Sequence, residues 1–243
     1  MYIYGIHPVE EVLRRAPELI EQIVVAGGLK DAQFEEIKEL VRISGVKVQR
    51  VSTGELDEWS DGGNHQRIAV RVSEFPYMEL ADAIDKTAEK QDACILALAQ
   101  VQDPGNLGAI LRTAAALKVD AVMIPRHRSA QITPAVIRAS AGMAFRVPLV
   151  QVTNLSKALQ ELKEEGFWVV GTVAEEGQDL WTMDWGLKAA VVMGGEHKGM
   201  RPGVEKQCDF RLTIPVDPGV ESLNVSVAAA ITLYDRMRNL SGS

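Results

Sequence analysis

Apolar residues recur along this chain in two rhythms, and the change from one to the other divides it. Up to residue 75 short apolar runs alternate with helical spacing. They predict a helix over Pro8–Leu19, a strand over Gln22–Ala26, a helix over Ala32–Ile43, and strands over Val46–Val51 and Arg67–Val72. That is a small α/β domain, 1–75. The stretch from Glu74 to Gln91, EFPYMELADAIDKTAEKQ, is punctuated by proline and then charged, so residues 76–91 are expected to form a partly helical linker. From Ala93 onward an apolar strand, a glycine or proline turn and an amphipathic helix repeat. Strands are expected at Cys94–Val101, Ala121–Ile124, Val147–Val152, Phe167–Val173, Ala189–Met193 and Arg211–Val216. Helices are expected at Leu107–Lys118, Pro134–Ala144, Leu155–Glu165 and Leu223–Arg238. Strands this uniformly apolar, separated by helices, predict a parallel sheet covered on both faces in a second domain, 92–243. Ligands on such sheets gather at the carboxyl ends of the strands.

Composition narrows the chemistry. With 47% hydrophobic and 24% charged residues the chain can bury a core. No apolar run approaches the roughly 20 residues that cross a bilayer, and Glu10 and Glu11 stand where a signal peptide would be basic, so a cytoplasmic protein is expected. Cys94 and Cys208 have no cysteine or histidine at ligand spacing, and the four histidines, 7, 65, 127 and 197, form no HExxH, so no metal site is predicted. The net charge of −7 argues against a nucleic-acid partner, but between Arg112 and Arg146 six basic residues face only Asp120, a local charge of +5. Such a patch either binds phosphate or is an ordinary solvated face.

Three clusters follow apolar strands. In Asp103-Pro104-Gly105-Asn106-Leu107-Gly108, Pro104 and Gly105 suit a turn and Asn106 suits a helix N-cap. Arg112, further along that Ala/Leu/Ile helix, either meets an anion or forms a buried ion pair. Met193-Gly194-Gly195-Glu196-His197-Lys198-Gly199-Met200 is a glycine turn that permits close backbone approach to a ligand, though it is neither GxxxxGK[ST] nor GxGxxG. In Ser222-Leu223-Asn224-Val225-Ser226, Ser222 reads as an N-cap, which leaves Asn224 and Ser226 unexplained inside an Ala/Val helix.

Taken together and in this order, DPxNxGxxxRxA, GGExxGM and SLNVSVA closely resemble the three signature motifs of the SpoU (TrmH-type) RNA ribose 2′-O-methyltransferases. The opening Tyr4-Gly5-Ile6-His7-Pro8-Val9, the Gly63-Asn64-His65-Gln66 turn and the Arg126-His127-Arg128-Ser129-Ala130 loop are similar to the bacterial branch that modifies a guanosine of 23S ribosomal RNA. The resemblance implies an α/β fold: a C-terminal SPOUT domain with a parallel sheet and a deep trefoil knot, preceded by a small RNA-binding domain like those of ribosomal proteins. It also implies S-adenosylmethionine as cofactor, a homodimer and no metal.

Residue by residue, the resemblance implies backbone contacts to the adenosine at Gly194, Ile214 and Leu223, with Met193, Gly195, Pro215 and Asn224 beside them. Asn106, Arg112, Glu196, Ser222 and Asn224 match catalytic or substrate-positioning residues, and His65, Gln66, Arg67, Arg126 and Arg128 are the expected RNA contacts. Arg67 stands where the family's usual turn has glycine, and His197-Lys198 replaces small or acidic residues, so both add charge near the presumed RNA surface. A guanidinium holds its proton far above neutral pH and is a poor proton acceptor, so Arg112 is expected to clamp a phosphate rather than act as base. The alternatives are a transfer-RNA methyltransferase, or a non-catalytic RNA-binding or assembly factor that keeps the fold.

Overall fold

The computed structural model describes residues 1–28, 31–195 and 199–241, the side chains of 31–34 and 36 apart. Its contacts divide the chain into two compact units, one built from Met1–Pro76 with Ile132–Arg146, the other from Tyr77–Gln131 and Val147–Ser243.

The first unit begins β1 (Tyr2–Tyr4), α1 (Ile6–Arg15), β2 (Ile20–Ala26), α2 (Asp31–Ser44), β3 (Val48–Val51), α3 (Thr53–Trp59) and β4 (Ile68–Val72). The sheet runs β1-β4-β2-β3, with β4 antiparallel to both neighbours and β2 parallel to β3. Helix α1 buries Ile6, Val9, Val12 and Leu13 at helical spacing and carries Arg14 and Arg15 in its last turn, where cations suit the helix dipole. The expected helix to Leu19 stops at Arg15, because Pro17 pushes Ala16 out of the α region (φ −146°) and residues 17–19 form a single 3-10 turn. Strand β1 and helix α3 were not expected from the sequence. Helix α3 is announced by a capping box: Ser52 Oγ accepts from the Glu55 N–H (3.2 Å), and a Glu55 carboxylate oxygen accepts from the Ser52 N–H (2.8 Å).

The second unit starts with α4 (Leu80–Asp85), β5 (Cys94–Leu98), α5 (Pro104–Ala116) and β6 (Ala121–Pro125). The chain next contributes α6 (Pro134–Ala139) to the first unit, where it packs on β1. Phe145 meets Phe75 there at 5.1 Å, and Arg146 Nε lies 3.2 Å from Glu11, an ion pair without hydrogen-bond alignment. The second unit resumes with β7 (Leu149–Val152), α7 (Leu155–Glu164), β8 (Trp168–Val173), β9 (Gln178–Asp179), β10 (Ala189–Met193), α8 (Pro202–Glu205), β11 (Phe210–Thr213) and α9 (Val225–Ser241).

Among the described residues seven strands form the expected parallel sheet, in the order β7-β6-β5-β10-β8-β11-β9. Every residue of β5 and β10 is buried, which is why both read as unbroken apolar runs. Helix α4 lies within the expected linker, yet its Ala83 is buried in the same cluster as Leu155, Leu159 and Leu162 of α7. Helix α9 packs on α5 and on β10. Aspartates pin the strand starts: Asp120 accepts the Cys94 N–H at 2.8 Å and Asp209 the Val169 N–H at 2.9 Å. Among the described residues no helix is long and apolar enough to cross a membrane.

Two helix starts differ from expectation. Helix α5 begins at Pro104 and its cap is Asp103, whose carboxylate accepts the Asn106 N–H at 2.7 Å; proline favours the first helical position, so Asn106 falls inside the first turn. Helix α9 begins at Val225. Its capping role is filled by Asn224, whose Oδ1 accepts the Ser226 N–H at 2.9 Å and whose carbonyl accepts from Ala228, and not by Ser222.

Candidate functional site

The carboxyl ends of β8, β10 and β11, with the starts of α5 and α9, surround a cavity of about 840 Å³ in the second unit, within the usual range for a small-molecule site. Each wall follows from local sequence. After β10 the backbone turns tightly, and the Gly195 N–H donates to the Gly199 carbonyl at 3.0 Å. A Cβ on Gly195 would come within 2.8 Å of the Ala99 carbonyl, and one on Gly194 within 3.1 Å of Gly199 Cα, so only glycine lets these loops approach. Opposite lie Ile214 after β11 and Leu223 before α9, a half-buried apolar pair.

The starts of α5 and α9 meet through their asparagines. Asn224 Nδ2 donates to Asn106 Oδ1 at 3.0 Å, while Asn224 Oδ1 also accepts the Ser226 hydroxyl at 2.6 Å. The amide of Asn224 is therefore oriented from both ends. Thr172 Oγ1 donates to the Val192 carbonyl at 3.1 Å and ties the end of β8 to β10. Among the described residues the cavity is lined by five carboxylates, of Asp103, Glu175, Glu176, Glu205 and Glu221, against one guanidinium. That guanidinium, Arg211, pairs with Glu205 at 3.3 Å, so the lining suits a cationic ligand.

Of the sequence-derived site residues, Asn106, Met193, Gly194, Gly195, Ile214, Ser222, Leu223 and Asn224 line this cavity. Glu196, with His197 and Lys198, lies outside the described residues. Pro215 is exposed and not part of the lining. Arg112 is exposed, and forms no ion pair or hydrogen bond among the described residues, so it is not the buried ion pair that was one expectation. It borders a second, mainly apolar hollow of about 690 Å³ formed by α5, α9 and residues 180–181; Ile214 lines both hollows. Trp181 and Tyr234 are each 57% exposed there.

The sequence reading missed Thr172–Glu176 and Met200 as lining residues. The carboxyl-end rule would have found the first of these had it been applied to the strand ending at Val173. Met200 packs near Cys208, with its Sδ 3.8 Å from the thiol sulfur. Burial, with Glu205 and Asp209 adding to it, pushes that thiol's pKa up to about 11.

The expected RNA contacts have internal ties. His65 is buried, its Nδ1 accepting from the Arg67 N–H (2.9 Å) and its Nε2 lying 3.0 Å from Asp57, which fixes Nε2 as the protonated nitrogen. Gln66 Oε1 accepts the Ile6 N–H at 3.0 Å and so caps α1. Arg67, at φ +63°, donates to the Gly27 carbonyl and to Thr53 Oγ1. In the second unit Arg126 and Arg128 are exposed on the loop after β6; Arg126 Nε donates to Gln151 at 3.1 Å. The Ala130 N–H fastens this loop to the Val101 carbonyl at 2.8 Å.

Residues 93–234 match the SpoU rRNA Methylase family, and residues 2–78 match the family described as RNA 2′-O ribose methyltransferase substrate binding. The 23S rRNA (guanosine-2′-O-)-methyltransferase RlmB of Escherichia coli K12 is 39% identical over 239 residues, covering 98% of each chain. RlmB of Vibrio cholerae is 40% identical over 237 residues, covering 97% of this chain and 96% of its own. Among solved structures, the SpoU methyltransferase AviRb of Streptomyces viridochromogenes in complex with AdoMet superposes with a TM-score of 0.84 at 21% identity, covering 100% of this chain and 91% of that one; this shows likeness of fold. The A. aeolicus TrmH/SpoU tRNA modifying enzyme gives a TM-score of 0.58 at 26% identity and covers 67% of this chain and 85% of its own.

Proposed function

The chain belongs to the SpoU rRNA methylase family, and from that premise we propose that it is an enzyme transferring a methyl group from S-adenosylmethionine to a guanosine ribose 2′-hydroxyl of 23S ribosomal RNA. The observation that carries the reading is the cavity at the strand ends, where the paired asparagines, the glycine turn and the Ile214–Leu223 wall converge. Relatives that share nearly the whole chain act on 23S rRNA, whereas the tRNA-modifying neighbour covers only 67% of it, and this favours the ribosomal substrate over transfer RNA.

The residues present fit the cofactor. Gly194 and Gly195 leave backbone where a Cβ would intrude, Ile214 and Leu223 offer faces for an adenine, and the carboxylates suit a cation. S-adenosylmethionine supplies an electrophilic sulfonium methyl once bound. Backbone groups at Gly194, Ile214 and Leu223 would hold the adenosine, with Met193, Gly195 and Asn224 beside them in the lining and Pro215 outside it. Ser222 and the doubly oriented amide of Asn224 position the ribose hydroxyl, with Asn106 steadying Asn224 and Glu196 assisting from the glycine turn. The Arg112 guanidinium would clamp the adjoining phosphate and stabilise charge developing on the ribose oxygen as that oxygen yields its proton to water. RNA is gathered by Arg67, Arg126 and Arg128, while His65 and Gln66 shape the turn that presents Arg67.

We assign the apolar face of α5 and α9 to a second copy of the chain, making a homodimer in which Arg112 stands at the edge of the covered surface. The C-terminal segment with the helix Val225–Tyr234 is assigned to the family's trefoil knot as well as to the dimer, and the enzyme to the cytoplasm. Mapping 2′-O-methyl groups in RNA from cells with and without the protein tests the function. Loss of one guanosine methyl from 23S rRNA is expected; loss from a transfer RNA with 23S rRNA unchanged would refute the ribosomal target and keep the chemistry.

A further inference from the structure

Among the described residues several arginines are neutralised where they stand. Six of these described arginines lie within 3.3 Å of a carboxylate, among them Arg14 with Glu10 and Arg146 with Glu11 in the first unit. Arg138 of α6 is held differently. Its Nη1 donates to the Tyr4 hydroxyl at 2.9 Å, and its guanidinium carbon sits 5.5 Å from the Tyr4 ring centroid. Among the described residues no carboxylate lies within ion-pair distance of it, and the side chain is exposed.

The backbone closes on this pair from one side. A Cβ on Gly63 would fall 2.6 Å from both Arg138 Nη1 and Tyr4 Oη, so a side chain at 63 would displace them. Gly63 opens the turn that runs through His65 to Arg67, and Arg67 is likewise fixed by neutral oxygens, of Gly27 and Thr53. Two guanidinium groups thus flank one turn, each immobilised without being neutralised.

Holding an arginine by a ring, a hydroxyl and a carbonyl removes the entropy cost of ordering it, yet leaves its charge and remaining N–H groups for an outside acceptor. A planar fork of that kind matches a phosphate bidentately. We infer that Arg138, held against Tyr4 beside Gly63, is a phosphate-binding residue of the RNA surface on the first unit. The inference rests on the RNA-methylating reading above and adds a contact on a segment that lies far along the chain from the rest of that unit.

Binding of the full-length protein to a 23S rRNA transcript across a salt series is the test. Arg138→Gln should weaken binding about three- to ten-fold and lower the slope of log affinity against log salt by about one. Its affinity for S-adenosylmethionine should stay at wild type, and its melting temperature should fall by no more than a few degrees from the lost Tyr4 contact. Arg14→Gln removes an arginine already paired with Glu10 and should change neither affinity nor slope. Tyr4→Phe keeps ring and charge, so the slope should hold while affinity falls about two-fold. An unchanged slope in Arg138→Gln, or an equal loss in Arg14→Gln, would overturn the assignment. Preference of the wild type for a transfer-RNA transcript, with Arg138→Gln still lowering the slope on it, would sink the ribosomal target and uphold Arg138.

Discussion

Asn106 and Arg112 share helix α5, and the structure treats them differently. Asn106 is tied to Asn224 within the cavity, whereas Arg112 stands exposed on the far side of Ile214. Arg112 was readable as a candidate because a charged residue in an Ala/Leu/Ile helix needs a reason, whereas Asn106 read as a cap and became a candidate only through its place in the DPxNxG motif. The direction in which Arg112 faces was not readable, since it depends on packing between α5 and α9 that spacing alone does not encode. If Arg112 acts as a bidentate clamp, Arg112→Lys should lose about ten-fold or more in turnover while S-adenosylmethionine affinity persists. Near-normal single-turnover rates would refute the clamp. The cysteines make a second residue-scale case. Burial pushes the Cys94 thiol up to about 11, so the folded state favours the protonated form. The sign follows: stability from this group is complete below the unfolded value of about 8.5 and declines as pH rises toward 11. Chemical denaturation from pH 8 to 11 should show that decline, and it should be shallower in Cys94→Ala.

At the scale of elements, strand identity was the most legible feature. Ala189–Met193 was expected at the bounds it has, because a strand buried on both faces leaves an unbroken apolar run that few other environments produce. Helix starts were less legible. Asp103, Asn106, Ser222 and Asn224 are all good caps, and which of them caps depends on where Pro104 and Val225 place the first turn. Helix α3 was legible in principle, since Ser52 and Glu55 have capping-box spacing, but its seven residues give little periodicity. The turn after β10 yields the element-scale prediction. Gly195→Ala places a methyl 2.8 Å from the Ala99 carbonyl, so calorimetry should find S-adenosylmethionine binding weakened about ten-fold or more and the melting temperature lowered. Gly27→Ala, where among the described residues nothing lies within 4 Å of the added carbon, should leave both near wild type.

For the whole molecule, the parallel sheet followed from alternation of apolar strands with helices, but its order could not. Placing β10 between β5 and β8 is a tertiary fact with no local signature. The exposed apolar face formed by Trp181, Ile231 and Tyr234 is likewise a property of the folded surface. If a second copy covers it, Ile231→Asp should sediment as a monomer, fold normally because Ile231 is 38% exposed, and lose methyl transfer. A monomeric variant with full activity would detach catalysis from dimerisation.

The segment Ile132–Arg146 gives the molecule an unexpected modularity. By family matches the chain looks like two beads on a string, 2–78 and 93–234, yet the first bead is finished with material spelled out inside the second. An N-terminal fragment ending at residue 76 would lack the partners of Tyr4, Glu11 and Phe75 and would misreport RNA affinity. A chimera that exchanges substrate recognition between relatives has to transplant two stretches of gene, not one.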